Sequence, residues 1–322
     1  MSQPILQVEH LKKYFPAGGR KVLRAVDDVS FSVQEGEILG IVGESGCGKT
    51  TCGRTAIGLY SKTDGVSLYR GEDVHRMRGA KRRAFCCQVQ TVFQDPYASL
   101  DPKNKVIDLI AEGMDIHHLY TGPAERREKV QALMEQVGLN PSGIDRYPYE
   151  FSGGMRQRIG IARALAIEPE FIVCDEPISA LDVSIQSQII NLLHDLQQQL
   201  GLTFLFIAHD LNIVKYISDR IAVMYLGNVV ELASSDDLYA HTLHPYSKAL
   251  LSAVPIPDPS AEAQKHRQIL SGDVPSPINT PKGCNFAGRC PVACDKCRES
   301  KPQLREIRPG HFCACHLVEP EI

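Results

Sequence analysis

The chain has 322 residues, a length that favours about two domains. Hydrophobic residues make up 43% and charged residues 23%, which excludes a largely disordered chain, a coiled coil and a collagen. The formal net charge of -3 gives no global positive field for a phosphate backbone, so we expect no nucleic-acid partner.

The first part of the chain alternates between strand and helix patterns. Residues 29–33 alternate apolar and polar side chains, as in a half-exposed strand. Unbroken apolar runs, typical of buried parallel strands, occupy Ile38–Val42, Phe171–Cys174 and Thr203–Ala208. Between the last two runs, apolar residues keep one helical face from Ile185 to Leu200, and Gly201 ends the pattern. This order predicts an α/β fold with a parallel sheet and crossover helices.

The segment GESGCGKT follows the first buried run directly and fits the phosphate-binding loop pattern G-x-x-x-x-G-K-[ST]. Its glycines allow a tight turn that aims backbone N–H groups at phosphate oxygens, and the following helix N-terminus adds positive partial charge. Lys49 is predicted to reach the β- and γ-phosphates, and the Thr50 hydroxyl is predicted to ligate Mg²⁺. Cys47 is interpreted as a small space-filling residue rather than a reactive thiol. The predicted nucleotide-binding residues here are Gly43, Ser45, Gly46, Cys47, Gly48, Lys49, Thr50 and Thr51.

Polar residues follow the two later apolar runs. Asp175 and Glu176 come at the end of one run, and His209 follows the other. Ligands of open α/β sheets bind at the carboxyl edge of the strands, so we expect all three residues beside the phosphate loop. There Asp175 can hold Mg²⁺ through water, Glu176 can orient and deprotonate an attacking water, and His209 can hydrogen-bond a γ-phosphate.

A second anion site is predicted at FSGGM, which precedes a helix pattern from Arg156 to about Ile167. Ser152 is a good N-cap residue, and with Gly153 and Gly154 it forms an anion-binding helix N-terminus. One chain with two such helix ends, more than 100 residues apart, predicts that two copies share each nucleotide. The loop would grip the nucleotide in cis, and the serine-glycine turn would grip it in trans.

These motifs together resemble the nucleotide-binding subunits of ABC transporters. Walker A is GESGCGKT, the signature is FSGGM, Walker B is FIVCDEP and the D-loop is SALD, in the family's order. The resemblance implies that Tyr14 stacks on adenine, that Gln94 contacts Mg²⁺ and water, and that Asp182 in the D-loop links the two sites of a dimer. The catalytic residues that it implies are Glu176, His209 and Gln94. Met155 stands where the family usually has Gln.

The resemblance also implies the architecture. We expect a RecA-like P-loop ATPase core with an N-terminal antiparallel β piece and a helical subdomain at about residues 96–167. The nucleotide-binding domain would cover residues 1–253, and a small cysteine-rich extension would cover residues 254–322. ATP and Mg²⁺ are the expected substrate and cofactor.

Further stretches resemble the oligopeptide/dipeptide importer ATPases, and especially the second ATPase of dipeptide import systems. These stretches are FQDPYASLDPK, RYPYEFSGG, HPYSKALLSAVP and the cysteine-bearing tail. The resemblance implies a heterodimer with a second ABC ATPase subunit, two membrane permease subunits and an extracytoplasmic solute-binding protein. No apolar run approaches the roughly 18 residues of a membrane span, so we expect a peripheral protein at the cytoplasmic face. The alternatives are nickel or glutathione import, and a soluble ABC ATPase that acts on ribosomes or DNA.

The tail is rich in cysteine and begins with a Pro-rich linker near Val254. In a cytosolic chain, clustered cysteines indicate a metal site, and four thiolates suit either zinc or a [4Fe–4S] cluster. The family spacing GC-x₅-C-x₆-C…ACH matches Cys284, Cys290, Cys297 and Cys315, and the resemblance then implies a [4Fe–4S] cluster. Cys294 and Cys313 are extra, as either spare ligands or inert thiols. The tail has few core-forming residues, so a metal would supply folding energy. It is far in sequence from every nucleotide motif, which predicts a structural staple whose loss leaves ATP binding intact; a redox-sensing role stays open.

Overall fold

The predicted alternation of strands and helices is observed in the computed structural model, which describes residues 3–255, 267–273 and 275–320. The strands are β1 (Leu6–Pro16), β2 (Val22–Val33), β3 (Ile38–Val42), β4 (Asp64–Tyr69), β5 (Glu72–Asp73), β6 (Val89–Val92), β7 (Phe171–Asp175), β8 (Thr203–Ile207), β9 (Arg220–Tyr225), β10 (Asn228–Ser234), β11 (Arg305–Arg308) and β12 (His311–Cys313). The helices are α1 (Lys49–Ala56), α2 (Gly79–Gln88), α3 (Val106–His117), α4 (Pro123–Gln136), α5 (Gly153–Leu165), α6 (Val183–Leu200), α7 (Leu211–Ile217), α8 (Ser235–Ala240), α9 (Pro245–Ala253) and α10 (Asp295–Glu299).

The chain forms two compact units, and the first covers the described residues of Met1–His75 and Ala208–Ile322. It contains an antiparallel sheet in the order β2-β1-β4-β5, which confirms the predicted N-terminal β piece. Its other strands run in the order β11-β12-β10-β9-β3, in which β3 and β9 are parallel and the remaining pairs are antiparallel. Every residue of β3 is buried, as its unbroken apolar run predicts.

The second unit covers Arg76–Ile207. Its strands β8, β7 and β6 are parallel neighbours in that order, and all of β7 and β8 is buried. The segment between residues 96 and 167 contains α3, α4 and α5, and Arg126 joins α4 to α3 through Asp115 at 2.7 Å. Helix α6 ends as predicted, because Gly201 adopts φ 64, a left-handed conformation that glycine takes without strain.

The cysteine-rich tail belongs to the first unit and adds strands to it. Strand β12 pairs with β10, placing Cys313 opposite Glu231, and β11 pairs with β12. The tail was expected to have few core-forming residues, and two of those it has, Phe286 and Ile307, are almost completely buried. The division at residue 253 stays a prediction, and residues 256–266 of the predicted linker lie outside the described residues.

Within the described ranges, every helix is too short or too polar to span a lipid bilayer. The longest, α6, has 18 residues and keeps polar side chains on its exposed side.

Candidate nucleotide-binding site

The phosphate loop joins β3 to α1, and two of its glycines have no room for a side chain. Gly43 has φ 153, and a Cβ there would lie 2.2 Å from the Met224 carbonyl oxygen. Gly48 has φ 104, and a Cβ there would lie 2.0 Å from the Ala25 carbonyl oxygen. Both contacts are with backbone, which cannot move aside as a flexible side chain can. The loop geometry that the motif predicts therefore requires glycine at these positions.

The Lys49 ammonium lies inside the loop. Its Nζ donates hydrogen bonds to the carbonyl oxygens of Gly43, at 2.9 Å, and Glu44, at 3.2 Å, and the residue is 4% exposed. Thr50 and Thr51 stand in the first turn of α1, which carries no acidic side chain. The helix N-terminus and the ammonium thus place positive charge in one small region, which suits a bound phosphate.

Tyr14 lies on β1 with its hydroxyl fixed. The hydroxyl donates a hydrogen bond to the Asp27 carboxylate, which is 5% exposed and also accepts from Lys301 Nζ at 2.6 Å. Burial and the Asp27 hydrogen bond raise the pKa of Tyr14, so its hydroxyl stays neutral. Burial opposes ionisation of Asp27, but the hydrogen bonds from Lys301 and Tyr14 prevail and lower its pKa. The Arg24 guanidinium lies 5.7 Å from the centroid of the Tyr14 ring, within the range of a cation–π contact.

The structure brings Gln94 and Glu176 together in the second unit. Gln94 Nε2 donates a hydrogen bond to Glu176 Oε2 at 2.9 Å. The backbone of Glu176 adopts φ 47, a strained conformation for a residue with a side chain, and its N–H donates to the Ile207 carbonyl oxygen at 2.9 Å. Asp175 is the last residue of β7 and is completely buried. Two of the predicted catalytic side chains are therefore in direct contact.

The signature turn caps α5 and packs against the D-loop segment. Ser152 Oγ accepts a hydrogen bond from the Met155 N–H at 3.4 Å, so the predicted N-cap is confirmed. The helix begins at Gly153, three residues before the predicted start, because this cap holds the glycines in its first turn. A Cβ at Gly154 would lie 2.4 Å from Ile185 Cγ2, which explains the need for glycine where α5 crosses the start of α6.

Three further residues of the motifs are exposed to solvent. Asp182 is the exposed N-cap residue of α6, and the side chain of Met155 is 47% exposed. His209 is exposed in the first unit, next to Asp210, whose carboxylate caps α7 through the Asn212 N–H at 2.8 Å. Cys47 is buried, and burial raises its pKa, which supports the space-filling interpretation.

The predicted metal site is not supported. Among the described residues, no group of three or more His, Cys, Asp or Glu side chains is arranged to hold a metal ion. The Sγ of Cys294, one of the two extra cysteines, lies 3.5 Å from that of Cys297, a predicted ligand. Burial raises the pKa of Cys284 to about 11 and also raises that of Cys290. Neither the [4Fe–4S] cluster nor zinc follows from this arrangement.

Sequence reasoning missed three residues that contact the nucleotide motifs. Tyr246 and Arg289 both bond to Glu44 in the phosphate loop, and Lys301 bonds to the Asp27 partner of Tyr14. These contacts join residues more than 200 positions apart, and no local pattern reveals such a pairing.

Comparison with known proteins finds similar sequences along almost the whole chain. Residues 26–179 match the family described as ABC transporter, and residues 230–297 match the one described as oligopeptide/dipeptide transporter, C-terminal region. The chain is 56% identical over 314 residues to the putative oligopeptide transport ATP-binding protein YkfD of Bacillus subtilis, covering 98% of this chain and 95% of the relative. It is 52% identical over 322 residues to the oligopeptide transport ATP-binding protein AppF of the same organism, covering 98% of each.

A solved structure of an ATP-binding cassette is also similar to this chain. The ATP-binding cassette MJ0796, in a dimeric post-hydrolysis state bound to ADP and phosphate, superposes with a TM-score of 0.64 at 26% identity. The match covers 71% of this chain and 98% of that one. The α/β fold is therefore that of an ATP-binding cassette.

Proposed function

Since this chain belongs to the ATP-binding proteins of ABC transporters, within the oligopeptide/dipeptide transporter family, we propose that it binds and hydrolyses ATP to power peptide import through a membrane complex. The observation that carries this function is a complete phosphate loop, with Lys49 folded inside it, in a chain whose relatives are named as oligopeptide transport ATP-binding proteins.

Most motif residues have a role in binding or hydrolysing the nucleotide. Lys49 and the N–H groups of the loop hold the β- and γ-phosphates, and the side chain of Tyr14 stacks on the adenine. Thr50, Gln94 and Asp175 would hold Mg²⁺, Asp175 through water. When bound, Mg²⁺ neutralises phosphate charge that develops during transfer. Glu176 orients and deprotonates the attacking water, held by its hydrogen bond from Gln94.

A second ATPase subunit completes the site. Ser152 is exposed at the N-terminus of α5, so its helix end remains available for a nucleotide held by another subunit. We assign Ser152, Gly153 and Gly154 to that role, with Asp182 linking the two sites. We infer a heterodimer with a related ATPase, peripheral at the cytoplasmic face of the membrane, with two permease subunits and an extracytoplasmic solute-binding protein. The match to the transporter C-terminal region favours this over an ATPase acting on ribosomes or DNA.

Reconstitution tests the transported solute. The complex is placed in liposomes with its solute-binding protein loaded with a dipeptide, an oligopeptide, glutathione or Ni²⁺. We expect phosphate release and solute uptake to rise together with a di- or oligopeptide. Stimulation by glutathione or Ni²⁺ alone would assign the same ATPase to another solute. Hydrolysis that no loaded binding protein stimulates would contradict the importer function.

For the tail, the family spacing of cysteines supports a [4Fe–4S] cluster, with zinc as the alternative, whereas the described residues support neither. Metal analysis of anaerobically purified protein decides this. About four irons per chain, lost when Cys284 or Cys297 is replaced by Ser, would support the cluster. One zinc per chain would support the alternative. A metal-free protein that keeps its thermal stability would reject both, leaving the tail stabilised by apolar burial alone.

A further inference from the structure

A loop of the tail contacts the phosphate loop directly. Arg289 forms a bidentate ion pair with Glu44, in which Nη1 lies 2.9 Å from Oε2 and Nη2 lies 3.1 Å from Oε1. The side chains are only 10% and 28% exposed, so solvent screens the pair less than it would a surface ion pair. The planar guanidinium matches both carboxylate oxygens, which fixes the direction of the pair as well as its distance.

Glu44 is held by its backbone as well. Its N–H donates a hydrogen bond to the Tyr246 hydroxyl at 3.0 Å. Tyr246 is completely buried near the start of α9, and burial raises its pKa, so it remains a neutral acceptor. Two remote residues, Arg289 and Tyr246, therefore fix the side chain and the main chain of one loop residue.

The position of Glu44 matters for Lys49. The Glu44 carbonyl oxygen accepts a hydrogen bond from Lys49 Nζ at 3.2 Å, so a shift of Glu44 would move a contact of the phosphate-binding ammonium. The Glu44 carboxylate is also a negative charge within a loop that binds an anion. An unpaired carboxylate there would repel phosphate, and the Arg289 guanidinium compensates that charge.

The tail loop that carries Arg289 has its own anchors. The Phe286 ring packs against Tyr225 and Tyr246, with centroids at 5.3 and 5.4 Å, and Asn285 Nδ2 donates to the Leu226 carbonyl oxygen at 3.1 Å. The Arg289 N–H donates to the Phe286 carbonyl oxygen at 3.0 Å. These contacts fix the position of the loop that carries the guanidinium.

We propose that Arg289 is a positioning residue for ATP binding: it acts through Glu44, holding the phosphate loop in its binding geometry and neutralising the carboxylate beside the phosphates. This rests on the proposed binding of ATP by the loop. The tail is far from the nucleotide motifs in sequence only, since Glu44 and Arg289 are 245 residues apart along the chain yet in direct contact.

Titration of the full-length protein with a fluorescent ATP analogue tests the proposal. The parent is measured first, since failure of the parent to bind would refute the proposed function rather than the role of Arg289. Arg289→Ala should weaken binding about tenfold, the scale expected for loss of a charge-assisted contact. Arg289→Lys keeps the charge but lacks the planar guanidinium that contacts both carboxylate oxygens. Its affinity for the analogue should lie between those of the parent and Arg289→Ala. Arg298→Ala, an exposed arginine of the same tail, is the matched control and should bind as the parent does.

Rescue separates positioning from general stability. Glu44→Gln removes the carboxylate that Arg289 neutralises. In a protein that carries Glu44→Gln, the further substitution Arg289→Ala should therefore lower the affinity for ATP only slightly. In the assembled complex, Arg289→Ala should raise KM for ATP and leave kcat close to the parental value, because binding and not chemistry is affected. Parental affinity in Arg289→Ala would overturn the proposal. The proposal would also be overturned if Arg289→Ala lowered ATP affinity equally with and without Glu44→Gln. The same holds if the loss of affinity only followed the fall in melting temperature.

Discussion

Gln94 donates a hydrogen bond to the Glu176 carboxylate across 82 residues of sequence, at 2.9 Å. The two residues follow the neighbouring parallel strands β6 and β7, so the sheet delivers both to one edge. The left-handed backbone at Glu176 turns the chain directly after the buried Asp175. Local strain is thus retained at the residue to which we assign the hydrolytic step.

Glu176→Gln should keep ATP binding and almost abolish turnover. The amide retains the size of the side chain but cannot accept a proton from water, and general bases contribute roughly 10²- to 10⁴-fold. Phosphate release from the reconstituted complex measures the loss. Glu135→Gln, at an exposed position of α4, is the matched control. Hydrolysis near the parental rate would remove Glu176 from its assigned role.

Gln94→Glu should shift the pH dependence of hydrolysis upwards. The new carboxylate would lie beside that of Glu176, and two close carboxylates raise the pKa of one of them. Turnover should therefore be lost at neutral pH and partly return as the pH rises. Gln94→Ala should lower turnover without that shift, since it adds no charge. Identical pH profiles for the two variants would show that the side chains are apart in the working enzyme.

Lys49→Ala should weaken ATP binding by at least about tenfold, because a charged contact to the phosphates is lost. Lys21→Ala, at an exposed position, is the control for loss of one positive charge. Titration with a fluorescent ATP analogue compares the variants. Unchanged affinity in Lys49→Ala would contradict the assignment of the phosphate loop.

Phe286→Ala should destabilise the first unit and weaken ATP binding. Removing a buried phenylalanine typically costs about 3–5 kcal/mol, and here it would also release the loop that carries Arg289. Thermal unfolding and ATP titration should both respond, whereas Leu317→Ala, at a largely exposed position of the tail, should change neither. If Phe286→Ala lowered stability while affinity stayed parental, the tail would not position the phosphate loop.

Stability should also fall as the pH rises, through His311. This completely buried ring donates from Nδ1 to Asp237 at 2.6 Å and from Nε2 to Glu231 at 2.8 Å. Burial disfavours the imidazolium, but the two carboxylates prevail and raise the pKa of His311. A raised folded-state pKa gives stability that is complete below the ordinary value of about 6.5 and is lost as the pH rises through the folded value.

His311→Gln should flatten that dependence. Melting temperatures at a series of pH values above about 6.5 compare it with the parent, whose curve should fall more steeply. Asp237 also pairs with His241, at 2.8 Å, so His241→Gln is measured as the control for the exposed imidazole. Parallel curves for the parent and His311→Gln would contradict the charged state of His311.

Local patterns in the sequence were enough to predict the motifs and the elements that carry them. The buried strands β3, β7 and β8 follow from unbroken apolar runs, the end of α6 follows from Gly201, and the cap of α5 follows from Ser152. Such features depend on residues within a few positions of one another, so periodicity and capping rules are sufficient to find them. The glycines of the phosphate loop belong to the same class.

The contacts of the tail, in contrast, became apparent only in the folded chain. The pairs Arg289–Glu44 and Lys301–Asp27 join residues more than 240 positions apart, and the pairing of β12 with β10 attaches the tail to the first unit. Spacing predicted a metal site from cysteines, but thiol arrangement depends on how the backbone folds, and the described thiols form no such group. A sequence pattern states which side chains are available, whereas distance in space, which sets ion pairing and metal ligation, arises only when the strands and loops pack.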